Sequence, residues 1–138
     1  MREALKEAQK AFDADEVPVG AIVVAENRII ARAHNLTERL HDVTAHAEMQ
    51  AITSAAHALG GKYLLDCTLY VTLEPCLMCA GALAWSQISG IVFGASDPKK
   101  GFTLLGKNIL HPKTEVIQGI LAPDCEKIIK DFFIQKRK

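Results

Sequence analysis

Apolar residues recur along this chain at two spacings, and the switches between them mark out alternating helices and strands. Leu5, Ala8 and Phe12 stand at helical intervals, which predicts a helix over residues 2–13 with that stripe buried. Residues 17–25 and 29–33 are rich in β-branched side chains and flank Glu26-Asn27, so they read as the two strands of a hairpin. A polar loop over 35–43 leads to an alanine-rich run, 45–58. Thr44 suits the N-cap of that run and Gly60-Gly61 its stop, which places His46 in a first helical turn. A strand over 67–72 follows, then a helix over 76–85 with Pro75 at its start, then a short strand over 90–94. Residues 97–112 hold Gly101, Gly106 and Pro112 and read as a loop with one short helix, while 115–118 suits an edge strand. A last helix over 123–136 would bury Ile128, Ile129, Phe132 and Phe133. Such alternation predicts an α/β domain with helices layered on a central sheet. The sequence shows no repeat, linker or low-complexity tract, so the whole chain, 1–138, reads as a single domain.

Composition narrows the setting. At 138 residues and 49% hydrophobic, the chain can bury a sizeable core without disulfide support. No apolar run approaches the roughly 18 residues of a membrane span, and Met1-Arg2-Glu3-Ala4-Leu5-Lys6 reads as an amphipathic helix, not a secretion signal, so no membrane is expected and the cytoplasm is the default location. Net charge is zero but unevenly spread. Residues 1–98 carry 7 Lys/Arg against 12 Asp/Glu, and residues 99–138 carry 9 against 4. The basic tail reads either as a strip for phosphates or as the wet face and C-terminal end of a last helix.

The candidate chemistry lies at two helix starts. His46-Ala47-Glu48 and Pro75-Cys76-Leu77-Met78-Cys79 supply an imidazole, two thiols and one spare carboxylate. His46, Cys76 and Cys79 suit one Zn2+ per chain, and three protein ligands are the mark of a catalytic zinc, which keeps a fourth position for water. Cys76 and Cys79, i and i+3 on one helix, can reach the same ion, and the positive helix end favours their thiolates. His46 and Glu48, two apart on a helix, diverge by roughly 200°, so the ion must sit off the helix end. Zinc would bring the pKa of a bound water down to about 7, leaving Glu48 as the proton carrier. The competing reading is a closed structural zinc completed by His34, His41 or Cys67, although structural knuckles usually offer their fourth ligand at a second short spacing that is absent here. Cys67 and Cys125 read as small buried hydrophobes, and His57 and His111 as packing or surface residues.

His-x-Glu followed by Pro-Cys-x-x-Cys is also the signature of zinc-dependent base deaminases. Val17-Pro18-Val19-Gly20-Ala21, Thr44-Ala45-His46-Ala47-Glu48, Thr72-Leu73-Glu74-Pro75-Cys76, Met78-Cys79-Ala80-Gly81-Ala82 and Val92-Phe93-Gly94-Ala95 extend the likeness. From the first helix to Asp131-Phe132-Phe133, the chain resembles the bacterial tRNA-specific adenosine deaminases of the cytidine/deoxycytidylate deaminase superfamily. The resemblance implies a three-layer α/β/α cytidine deaminase-like fold, with a mixed sheet of about five strands and helices on both faces. It implies hydrolysis of adenosine to inosine at the wobble position of a tRNA anticodon, releasing ammonia, with Glu48 as the catalytic residue and a homodimer holding the anticodon arm. Asn35 and the backbone N–H of Ala47 would then bind the base, and Asp97 would accept from a ribose 2′-OH. Lys99, Phe133 and Arg137 would touch the RNA through phosphates or by packing around a flipped base. Val43 stands where the family often has proline, and Phe102-Thr103-Leu104-Leu105-Gly106 replaces a Ser-Gly-rich stretch, so the RNA-facing loop should differ in shape. A deaminase of free guanine, cytosine or a nucleoside would need the same zinc site, and a zinc-stabilised binding module without catalysis is a third reading.

Overall fold

Glu26 and Asn27 both adopt positive φ, 51° and 61°, and their turn closes the hairpin between β1 (Gly20–Ala25) and β2 (Arg28–His34). The structure, a computed structural model, describes residues 1–138 apart from the side chain of Lys107. Three further strands, β3 (Cys67–Leu73), β4 (Gly90–Ala95) and β5 (Glu115–Gln118), complete a sheet of order β2-β1-β3-β4-β5. β1 pairs antiparallel with β2 and β3, whereas β3, β4 and β5 run parallel, so the sheet is mixed. Parallel neighbours need a crossover, and α3 (Leu77–Ser86) provides it between β3 and β4. α1 (Arg2–Asp13) and α4 (Ala122–Lys136) cover one face, and α2 (Ala47–Leu59) and α3 the other. This is the three-layer α/β/α arrangement expected from the sequence. The loop after β4 contains two short 3-10 turns, Phe102–Leu105 and Lys107–Ile109.

The main core fills the space under α2 and α3. Ala47, Ala51, Ala55, Ala80 and Leu83 pack there on Val23, Leu69, Val71 and Phe93, and Phe102 meets Phe93 edge to face with centroids 6.1 Å apart. The other face differs from expectation in which side chains are buried. α1 buries Ala4, Glu7, Ala8 and Ala11, while Leu5 and Phe12 are only half-buried. Gly20 of β1 is the reason, because it lies so close beneath the helix that a Cβ would overlap the Ala4 carbonyl oxygen and the Ala8 nitrogen. Only small residues fit such an approach, so Phe12 is turned to the flank, where it meets Phe132 edge to face at 5.7 Å. Glu7 is tolerated in this layer because Lys10 Nζ pairs with it at 2.8 Å and His34 lies 3.5 Å away.

α4 corrects a second expectation. It buries Cys125 and Phe132, half-buries Ile128 and Ile129, and leaves Phe133 42% exposed. Phe133 is the next residue round the helix, roughly 100° from Phe132, and so leaves the sheet-facing stripe. No helix among the described residues is long and apolar enough to cross a membrane. The contact under α1 predicts that Gly20→Ala, which forces helix and strand apart, destabilises the fold by about 3 kcal/mol. Circular dichroism melts should show the midpoint falling by about 10 °C.

Candidate active site

The first ligand of each motif sits just outside its helix, because α2 starts two residues later, and α3 one residue later, than the sequence suggests. His46 is the N-cap of α2, with extended backbone at φ −69° and ψ 156°, and Cys76 is the N-cap of α3, at φ −75° and ψ 175°. Thr44 does not cap α2, because Asp42 Oδ1 accepts from its N–H at 2.8 Å and its hydroxyl at 2.7 Å in a local turn that delays the helix. Pro75 lies before the cap, and its carbonyl accepts from Phe102 N–H at 2.9 Å. These positions remove the difficulty of two residues diverging on one helix. His46 swings off the end of α2 towards the start of α3, while Glu48 stays in the first turn.

His46 Nδ1 lies 3.6 Å from Cys76 Sγ and 3.4 Å from Cys79 Sγ, and all three ligand atoms fall within 4.8 Å of one another. A tetrahedral ion at about 2.3 Å from sulfur and about 2.0 Å from nitrogen would have an N···S edge of about 3.6 Å. The donors therefore fit one transition-metal ion in both chemistry and spacing. Among the described residues no fourth His, Cys, Asp or Glu joins the group. His34 faces Glu7 instead, and the Cys67 thiol donates to Leu65 O at 3.5 Å.

The site's electrostatics follow from burial and from one shared proton. Burial pushes the Glu48 carboxyl up to about 7, against the opposing pull of its backbone N–H and of His46. A hydrogen bond from the Cys79 thiol, reinforced by His46, holds Cys76 down to about 4. The same hydrogen bond, together with burial, raises Cys79, and the bond to Cys76 raises His46. A metal requires both sulfurs as thiolates, and the lowered pKa of Cys76 favours that form, while the proton on Cys79 must be displaced as the ion binds.

A cavity of 260 Å³ opens above these groups, lined by His46, Ala47, Glu48 and Cys76 and walled by Val17, Asn35 and Asp97. Asn35 is 6% exposed and lines this cavity, and its N–H donates to Val19 O at 3.1 Å. Ala47 is fully buried at the first position of α2, where backbone N–H groups lack helical partners. Asp97 Oδ1 accepts from Lys99 N–H at 3.1 Å and Lys100 N–H at 3.0 Å, while Oδ2 has no hydrogen bond among the described residues. Phe133 lines two adjoining cavities of 740 and 390 Å³. Lys99 and Arg137 are exposed and line none of these three spaces.

Two buried carboxylates at the site escaped the sequence reading. Glu16, 1% exposed, accepts from Glu38 N–H at 3.0 Å and Arg39 N–H at 2.8 Å and so fixes the loop after β2. Glu74 does the same for the loop after β4. Glu74 falls within the Thr72-Leu73-Glu74-Pro75-Cys76 likeness but without a role of its own, and otherwise reads only as a charge set between the apolar end of a strand and Pro75-Cys76.

Fold and site together define a deaminase, with a His-Cys-Cys metal cradle and a buried carboxyl beneath a small cavity. The chain belongs to the MafB19-like deaminase family, whose model matches residues 1–137. It is 48% identical over 143 residues to the tRNA-specific adenosine deaminase of Bacillus subtilis (strain 168), covering 100% of this chain and 89% of that protein. A solved structure from studies of A-to-I editing by tRNA:A34 deaminases at the wobble position of transfer RNA superposes with a TM-score of 0.87 at 42% identity, covering 93% of this chain and 96% of that one. Guanine deaminase from Bacillus subtilis aligns over 69% of this chain and 61% of its own, at 37% identity and a TM-score of 0.66.

The cradle predicts that Cys79→Ala lowers metal content, measured by plasma mass spectrometry, to less than about 0.1 ion per chain. Cys67→Ala and Cys125→Ala should retain the wild-type content.

Proposed function

We propose that this chain is a zinc-dependent hydrolase, one domain over 1–138, that converts adenosine to inosine at the wobble position of a tRNA anticodon in the cytoplasm and releases ammonia. The observation carrying this reading is the Glu48 carboxyl, buried at the floor of the cavity beside His46, Cys76 and Cys79. The substrate is supported by relatives named as tRNA-specific adenosine deaminases across the full chain.

His46 Nδ1 and the sulfurs of Cys76 and Cys79 would hold the zinc. When bound, zinc supplies the Lewis acidity that lets water lose a proton near neutral pH. Glu48 takes that proton on its carboxylate and delivers it to N1 of adenine as C6 gains the oxygen; it then takes the second proton from the new C6 hydroxyl and passes it to the amine, so that the C6–N bond breaks, ammonia leaves and the C6 carbonyl forms. Burial raises this carboxyl above the usual carboxylate range, which favours its holding a proton between the two transfers. The Asn35 amide and the Ala47 N–H orient the base, and Asp97 Oδ2 accepts from a ribose 2′-OH. Lys99, Phe133 and Arg137 hold the flanking RNA, with Phe133 standing between the two adjoining cavities.

The working unit is a homodimer. Leu77, Gly81 and Trp85 fall on one i, i+4 row of α3, Leu77 and Trp85 are 54% and 86% exposed, and beyond the helix's own backbone nothing lies within 4 Å of a Cβ position on Gly81. A ridge of two large apolar residues around a glycine suits a second copy of the chain.

Zinc-loaded protein incubated with an RNA stem-loop bearing adenosine at the wobble position should yield inosine, while free guanine, cytosine and nucleosides stay unchanged by mass spectrometry. Deaminated monomers with untouched RNA would instead favour the small-molecule enzyme, and no product anywhere a binding module. Glu48→Gln should keep about one zinc per chain and lose about a thousandfold in turnover. Near wild-type turnover in that variant would refute the proton-carrier role. Trp85→Glu should convert a two-chain mass in light scattering to a one-chain mass.

A further inference from the structure

Glu74 is 3% exposed, directly follows β3, and takes no part in the chemistry above. Both of its oxygens are engaged by one loop. Oε1 accepts from Asp97 N–H at 3.0 Å, and Oε2 accepts from the N–H and hydroxyl of Thr103 at 2.9 and 2.6 Å. Among the described residues no cation pairs with it, so the charge is balanced by these loop donors. The loop closes tightly around the carboxylate. Gly101 N–H donates to Asp97 O at 2.9 Å, and a Cβ on Gly101 would overlap the Glu74 carboxylate.

The other side of Glu74 is tied to the metal cradle. Its N–H donates to Ala95 O at 2.8 Å, Pro75 O accepts from Phe102 N–H, and Cys76 forms a backbone bridge with Gly101. One carboxylate therefore joins the segment carrying Asp97 to the segment carrying Cys76, two walls of the same cavity.

We infer that Glu74 is a positioning residue that fixes Asp97 relative to Cys76, and through Asp97 selects substrates with a 2′-OH near the reacting base. The substrate half of this inference rests on the RNA reading above, whereas the link between the two segments does not. Glu74→Gln keeps the shape but turns an amide donor towards backbone N–H donors that need acceptors. In zinc-loaded protein it should raise KM for the RNA stem-loop about tenfold and change kcat by less than about threefold. Zinc content should hold, and the preference for RNA over the DNA stem-loop should shrink, as it should in Asp97→Ala.

Because both residues act through one carboxylate, the double variant should be no worse than Asp97→Ala alone, within about twofold. Effects that multiply, or loss of zinc with a lower kcat at unchanged KM, would overturn the inference. Thr103→Val, at an exposed position, guards against misfolding of the first variant and should raise KM about threefold, since it removes one of the three donors. An unchanged KM there would count against the inference. Amide hydrogen exchange in Glu74→Gln should be faster at Asp97 and Thr103, and unchanged protection would remove the link itself. A wild-type chain inert towards RNA would sink the substrate assignment, and exchange would still decide whether Glu74 holds the loop.

Discussion

The starts of α2 and α3 meet so closely that His46 Nδ1 lies within 3.6 Å of both cysteine sulfurs, and each start brings unpaired N–H groups and the positive end of a backbone dipole. Everything at the floor of the cavity follows from this meeting. It favours the thiolate of Cys76 and lets the Glu48 carboxyl be buried at a helix start, where negative charge is least costly. The approach itself depends on small side chains, because Ala47, Ala51, Ala55 and Ala80 let both helices settle on the sheet. Apolar packing is thus set by the distance the ligands require.

Much of the fold was legible in the sequence because period and punctuation agreed. The Glu26-Asn27 turn, the Gly60 stop at φ 73° and the edge strand at 115–118 all appear where the pattern put them. Helix starts were less legible, since Thr44 is a good cap by type but Asp42 captures it first. The stripe of α1 was misread because Leu and Phe outrank Ala in hydrophobicity, while the geometry over Gly20 selects for size. At the site, the ligand pattern is local in sequence and was readable. Glu16 and Glu74 were not, because their partners lie 21 or more positions away and an isolated carboxylate reads as surface.

The charge asymmetry takes on a shape in the structure. The cavity over Glu48 and the two cavities at Phe133 all border on Val17, and Lys130 and Lys136 each line one of the latter two. Lys136 pairs with Asp15 at 2.6 Å, but both are well exposed, and such a pair contributes little. Its ammonium can exchange that carboxylate for a phosphate at small cost. Two of the nine cations in the last 40 residues thus stand beside these cavities, although the whole chain is neutral.

The sheet has two open margins, and neither invites another strand. β2 exposes Arg28 and Arg32, and its pairing with β1 slips between Val23 and Val24. β5 is four residues long and exposes Glu115 and Gln118. Guanidinium groups, a kink and a short rim deprive a neighbouring backbone of a flat template. Crowded solutions of this chain should therefore resist growth of fibrils through main-chain hydrogen bonds at either margin.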